Sequence, residues 1–310
     1  MLSRIAESLF WIGRYIERAD GTARILDVHS QLMLEDPWID EDAACRSLLT
    51  VMGAAVPVDK DSLTRSEVLW LLSVDRDTPS SIAFSIRQAR ENARRAREIV
   101  SSELWEVLNN TYRRMPNRLR STNVHDAFEW VSERTALAYG VIDNLVARDE
   151  SWQFLALGRT IERTDMTARL LATRTLTHVS GPSWTTILRS CGAYEPFLRA
   201  YQGAAHPSAA AEFLLLDRLF PRSITFSIAE AERCMRAIEP TSGRIGSPGA
   251  VLRALGRVRH ELEYTPITEL VADLPQHMET VQKATLEASD AIRQRFFPTQ
   301  SEPTWIGEVG

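Results

Sequence analysis

The sequence predicts an all-α fold, a pseudo-twofold helical bundle built by tandem duplication of a unit of about 145 residues. Three observations predict it. Apolar side chains recur with a helical period, and the alternation typical of strands is absent. A block at 13–26 returns at 158–171 with ten of its fourteen positions identical. A second block at 72–89 returns at 214–231, in the same order and at nearly the same spacing.

The composition is that of a soluble globular protein with enough length for a large core: 310 residues, 44% hydrophobic and 25% charged. A net charge of −5 without a basic tail argues against a nucleic-acid partner. No run approaches the ~18 uncharged apolar residues of a membrane span, and charges early in the chain argue against a signal peptide. We therefore expect a cytoplasmic protein with no membrane partner.

Helices in the first half are expected at 3–33, 41–53, 64–74, 79–110 and 126–147. Pro37 follows the end of the first helix, and its apolar stripe comprises Ile12, Ile16, Ala19, Ala23 and Leu26. Thr78 is the expected cap of the fourth helix, with Pro79 in its first turn.

The second half repeats this order, with helices expected at 152–178, 184–202, 207–217, 221–238, 250–263 and 266–297. A loop at 239–249 is rich in glycine and proline. The resulting organisation is a first repeat at 1–147, a second repeat at 148–297 and a flexible tail at 298–310. The two repeats are expected to form one compact unit.

The repeated block keeps a charged helix face. At about 100° per residue, Gly13, Glu17, Asp20 and Arg24 lie on one narrow face beside the apolar stripe. A helical glycine costs about 1 kcal/mol against alanine, so Gly13 and its copy indicate that something approaches the backbone closely. We expect the two blocks to face each other across the pseudo-twofold axis.

These charges have two possible roles. They can form a structural lattice, with pairs Asp20–Arg24 and Asp165–Arg169 at i,i+4 and Arg14–Glu17 at i,i+3. They can also form a site in which Glu17 and Glu162 are the catalytic candidates. The candidate ligand-binding residues are then Arg14, Arg18, Asp20, Arg24, Arg159, Arg163, Asp165 and Arg169.

Secondary anion-site candidates precede two helix starts. They are Asp75, Arg76, Asp217 and Arg218, which can instead be ion pairs that fix the loops. No metal site is predicted, because the Glu-x-x-His pairs of di-metal bundles are missing. The scattered Cys45, Cys191 and Cys234 are expected to be buried thiols rather than a disulfide framework.

At these residues the sequence resembles the alpha-E family, a bacterial helical domain named for its repeated Glu-Arg motif. The resemblance is carried by Met1 to Asp20, Gly158 to Asp165 and the Asp-Arg…Pro…Phe-Ser-Ile blocks. It implies partners: a circularly permuted ATP-grasp protein, and in some cases a transglutaminase-like protease. ATP and magnesium would then come with the partner ligase, and none is expected to be held by this chain.

Three functions follow. The first is an accessory protein that presents an anionic or peptide ligand to an ATP-grasp-type peptide or amide ligase. The second is an enzyme of amide chemistry that uses Glu17 and Glu162 as acid and base. The third is a purely structural ion-pair lattice. The faithful repeat favours the first over the second.

Overall fold

The all-α class is confirmed, because every regular element in the residues that the structure describes is helical. The computed structural model describes residues 2–35, 38–57, 60–116, 124–175, 182–201, 207–240 and 249–297. The first half contains α1 (Ser3–Glu35), α2 (Glu41–Met52), α3 (Arg65–Ser73), α4 (Ile82–Arg95), α5 (Ser102–Arg114) and α6 (Val124–Leu145). The second half contains α7 (Glu150–Ala172), a 3₁₀ turn (Thr173–Thr175), α8 (Trp184–Ser190), α9 (Tyr194–Ala200), α10 (Pro207–Leu216), α11 (Ile224–Ile238), α12 (Ala250–Tyr264), α13 (Ile267–Ala272) and α14 (Leu274–Phe296).

The prediction of one long helix at 79–110 is wrong. The chain forms α4 and α5 instead, because Ser101 caps a new helix by accepting the amide of Leu104 at 3.2 Å. The start is also later than expected, since Ser81 rather than Thr78 caps α4. The Thr78 hydroxyl donates to the Asp75 carboxylate at 2.6 Å.

Two further helices expected as single elements are interrupted. The segment 184–202 divides into α8 and α9 at Gly192, whose φ of +62° lies in the left-handed region that favours glycine. The segment 266–297 divides into α13 and α14 at Asp273, just before a proline in the first turn of α14. Most of the loop expected at 239–249 and the tail at 298–310 lie outside the described residues.

The centre of the fold is the pair α1 and α7. The helix α1 packs on α7, α4 and α6, while α7 packs on α1, α11 and α14. The predicted stripe of α1 is fully or almost fully buried, and one core cluster extends through both halves of the chain. Each helix of this central pair therefore also contacts two helices that follow it in sequence.

The three cysteines are buried and free, as expected. Among the helices described here, none combines the length and the apolar character needed to cross a membrane.

Candidate functional site

Helices α1 and α7 meet backbone to backbone at their two repeated glycines. A Cβ atom added to Gly13 would overlap the carbonyl oxygen of Leu155, and one added to Gly158 would overlap the carbonyl oxygen of Phe10. The close approach predicted from these glycines is confirmed. It brings the charged faces of the two blocks together.

Glu17 of α1 is completely buried, and two arginines from the opposite half of the chain bind it. Arg163 of α7 donates two hydrogen bonds to its carboxylate, from Nε at 2.8 Å and from Nη2 at 2.7 Å. Arg222 adds a third from Nη1 at 2.9 Å, and the Tyr139 hydroxyl donates a fourth at 2.6 Å. A buried carboxylate with this many donors is compensated for the loss of water.

Glu162 of α7 is also completely buried, and its donors come from α1. Arg18 donates from Nε at 2.5 Å and from Nη2 at 3.1 Å, and Arg14 donates from Nε at 2.5 Å. In each Glu-Arg dipeptide, the glutamate carboxylate therefore accepts hydrogen bonds from the arginine of the other dipeptide. The i,i+3 pair expected between Arg14 and Glu17 is wrong, because Arg14 reaches across to α7 and to Ser289 of α14.

The two aspartates of the blocks form the predicted i,i+4 pairs. Arg24 donates to Asp20 at 2.8 Å, and Arg169 donates to Asp165 at 2.7 Å. The same two arginines also donate to backbone carbonyls near helix C-termini, Arg24 to Ser190 of α8 and Arg169 to Val51 of α2. A cation is favoured at this end of a helix dipole, so each pair also fixes a neighbouring helix.

The two halves differ in two of their arginines. Arg159, which matches Arg14, turns outward to Asp143 at 3.3 Å and lies over the Tyr139 ring. Arg222 bridges Glu17 and Asp20, with Nη2 at 2.7 Å from Asp20. Sequence reasoning missed Arg222, Tyr139 and Thr135, whose hydroxyl lies 3.3 Å from the Asp20 carboxylate.

The electrostatics keep both glutamates ionised. Burial alone would raise the pKa of each, but the adjacent arginines outweigh it. Arg163 and Arg222 hold the pKa of Glu17 well below its usual value, and Arg14 and Arg18 lower the pKa of Glu162 to about 2. Burial and the Glu17 charge raise the pKa of Tyr139, so its hydroxyl stays protonated and donates.

These pKa values predict that acid destabilises the fold. A carboxyl with a lowered folded pKa contributes stability that is complete above its unfolded pKa, here 4.5, and is lost as pH falls toward the folded value. We expect the free energy of unfolding in urea to fall steadily from about pH 5 to about pH 3. Glu162→Gln should show a flatter pH dependence, and equal slopes in the two proteins would contradict the assignment.

The secondary anion-site candidates already have partners within the protein. The Asp217 carboxylate accepts two backbone amides, from Leu219 at 2.8 Å and Phe220 at 2.7 Å. The Asp75 carboxylate accepts the backbone amide of Asp77 at 3.2 Å and the side-chain hydroxyl of Thr78 at 2.6 Å. Arg76 lies over the Tyr112 ring, and Arg218 pairs with Glu263 at 3.2 Å. This geometry agrees with the loop-fixing interpretation.

A pocket of about 730 Å³ opens beside α1 and α7. Asp165 and Met166 of α7 line it, together with Pro79 and Ser80 of the turn before α4. The charged side chains that line it are Arg14, Arg18, Asp77, Asp165, Arg169, Glu279 and Lys283. Within the described ranges, no three His, Cys, Asp or Glu side chains are grouped where they could hold a metal ion.

Together these features define an all-helical protein organised around two Glu-Arg dipeptides that exchange partners. The chain belongs to the Alpha-E family, whose model matches residues 1–297 and is described as a predicted alpha-helical domain with a conserved ER motif. The exchange between Glu17–Arg18 and Glu162–Arg163 gives such a motif a physical role in this chain.

The curated relatives that match are uncharacterised. One from Mycobacterium bovis and two from strains of Mycobacterium tuberculosis are each 25% identical to this chain. The matches cover 97% of this chain but 38% of each relative, so the chain spans about two-fifths of their length. No solved structure matches it.

Proposed function

We propose that this chain is a non-catalytic accessory protein of an ATP-grasp-type peptide or amide ligase, and that it holds a peptide substrate in the pocket beside α1 and α7. One observation carries the proposal. The repeated glutamates are buried and paired with arginines, so they are closed to a ligand. The pocket beside the same two helices is open and is lined by charged side chains, including Asp165. ATP and magnesium would be supplied by the ligase, and a transglutaminase-like protease is a further proposed partner.

The charge states support an accessory role over catalysis by Glu17 and Glu162. A general acid must hold a proton near neutral pH, which requires a raised pKa. Both glutamates have lowered pKa values and no exposed surface. The purely structural interpretation of the buried charges is supported by the same facts, and it is compatible with binding at the pocket.

The length of the relatives supports the proposal that this chain acts with a second protein or domain. Because the matching region is 38% of each relative, those proteins carry further sequence beside it. An accessory domain that acts with another domain is expected to occur beside further sequence in longer chains. We infer that the activity of this chain depends on a second polypeptide or domain.

We also propose that the chain arose by tandem duplication of a unit of about 145 residues, with units at 1–147 and 148–297. Support comes from the repeated blocks and from matched contacts, such as the pairs Asp20–Arg24 and Asp165–Arg169. Six of the seven buried residues of α6 recur in α14 with a constant shift: Val124, Phe128, Val131, Thr135, Ala138 and Ile142 correspond to Leu274, Met278, Val281, Thr285, Ala288 and Ile292.

The partnership can be tested with the circularly permuted ATP-grasp protein of the same genome. At micromolar concentration, we expect the two proteins to co-elute in size-exclusion chromatography. We expect ADP release, in the presence of magnesium and a peptide substrate, to require both. Separate elution together with ADP release that does not depend on this chain would overturn the proposal.

A further inference from the structure

The turns before α4 and α11 are built on the same serine contacts, and one of the positions at which they differ lies next to the central helices. In the first, the Ser81 hydroxyl donates to the carbonyl of Asp75 and accepts the amide of Phe84 at 3.0 Å. In the second, Ser223 makes the same two contacts, with Asp217 and with Phe226 at 3.1 Å. Ser80 therefore stands in one turn where Arg222 stands in the other.

Both turns also dock in the same way on the central helices. Thr22 of α1 donates from its hydroxyl to the Ser80 carbonyl at 3.3 Å. Thr167 of α7, which matches Thr22 in the repeat, donates to the Arg222 carbonyl at 3.2 Å. The backbones at 80 and 222 are thus held at matching places. The Arg222 side chain reaches α1, and Ser80 lines the pocket that Asp165 of α7 also lines.

In the second turn, a guanidinium fills the space between the helices. Arg222 joins the two carboxylates of α1 by donating to Oε1 of Glu17 at 2.9 Å and to Oδ2 of Asp20 at 2.7 Å. With Arg24 and Thr135, Asp20 then has three donors.

In the first turn, Ser80 is too short to reach across, and the pocket lies there. Asp165, which matches Asp20, accepts from one side chain of the described part of the chain, Arg169. Oε1 of Glu162, which matches Oε1 of Glu17, accepts from Arg18 alone among the described donors. These oxygens keep acceptor positions that Arg222 fills at the other site.

We infer that this pocket binds the guanidinium or ammonium group of a peptide side chain, placed where Arg222 stands in the other half. The cation would pair with Asp165 and face Glu162 behind it. This inference names the substrate chemistry of the proposed function and rests on it only in calling the ligand a substrate. The binding itself requires no partner protein.

Hydrogen bonding around the pocket favours a cation over an anion at Asp165. Glu162 is fully buried, and the charged side chains that line the pocket are three acids and four bases. Its three arginines already donate two hydrogen bonds each to protein acceptors: Arg14 to Glu162 and Ser289, Arg18 to both oxygens of Glu162, and Arg169 to Asp165 and Val51. An anion would meet arginines that are already paired and the exposed Lys283, whereas a cation would meet Asp165 and Oε1 of Glu162, which keep acceptor positions.

The test is calorimetric titration of the isolated protein with Nα-acetyl-arginine N-methylamide. Its neutral isostere, the citrulline derivative, and the anionic glutamate derivative serve as comparisons. We expect the arginine probe to bind at least about tenfold more tightly than either. Asp165→Asn should weaken it by about tenfold or more, because the carboxylate contact is lost.

Ser80→Arg is the sharpest variant, since it supplies the missing guanidinium from the chain itself. We expect it to abolish probe binding and to raise the melting temperature. Gly140→Arg adds the same charge at an exposed site of α6 with open space around it, and it should leave probe binding unchanged.

Equal binding of the arginine and citrulline probes, preference for the glutamate probe, or full binding by Ser80→Arg would each overturn the inference. The ligase partnership is judged separately by co-elution and ADP release. Probe binding without any effect on a ligase would therefore refute the proposed function and leave the cation site standing.

Discussion

Replacing Glu17 with glutamine is expected to destabilise the protein by about 3–5 kcal/mol. The amide keeps the shape of the side chain but removes its charge, so the guanidinium groups of Arg163 and Arg222 lose a buried counter-ion. The loss is large because Glu17 is completely buried, and water cannot replace the missing charge. Urea unfolding followed by circular dichroism at neutral pH measures the effect.

The matched control is Glu98→Gln, which removes the same charge from an exposed pair with Arg4 at 3.5 Å. Exposed pairs contribute about 0–1 kcal/mol, so this variant should be close to wild type. Combining Glu17→Gln with Arg163→Gln should cost less than the sum of the single changes, because the second change removes a stranded charge. If Glu17→Gln were as stable as Glu98→Gln, the lattice would not stabilise the fold.

Gly13→Ala is expected to have the second large effect, a loss at or above the upper end of the usual overpacking range of about 1–3 kcal/mol. The new methyl group would overlap the carbonyl oxygen of Leu155, which is backbone and cannot rotate away. Helices α1 and α7 would have to separate, and their charge pairs would lengthen together. Thermal and urea unfolding report the loss.

Gly140→Ala provides the control, because a Cβ at Gly140 meets no atom within 4 Å. There the higher helix propensity of alanine should stabilise α6 by up to about 1 kcal/mol. Opposite signs for the two glycine changes are the expected result. A stabilised Gly13→Ala would show that the helices do not pack as closely as described.

The sequence was sufficient for the central helix pair because the repeat preserved both its glycines and its charges. It also predicted the pairs Asp20–Arg24 and Asp165–Arg169, whose partners lie one helical turn apart. It failed for Arg14, because a helical wheel shows neighbours on one helix only. The partner of Arg14 is Glu162, on a helix 148 residues further along the chain.

Arg222 shows a second limit of sequence reasoning. It lies inside the repeated block 214–231, at a position where the two copies differ. The useful signal was a difference, since serine at 80 corresponds to arginine at 222. Helix interruptions were missed for a local reason: Ser101 and Gly192 act through capping and a left-handed backbone, and apolar periodicity does not report them.

The exchange of partners between the two Glu-Arg dipeptides also constrains the order of folding. Glu17 and Glu162 take arginines 146 and 144 residues away, so neither half can neutralise its own buried glutamate. During synthesis, α1 must keep its charged face hydrated until α7 has emerged, and closing so long a loop is slow. We therefore expect α1 to dock late and the native state to form as one cooperative event, with neither half stable by itself.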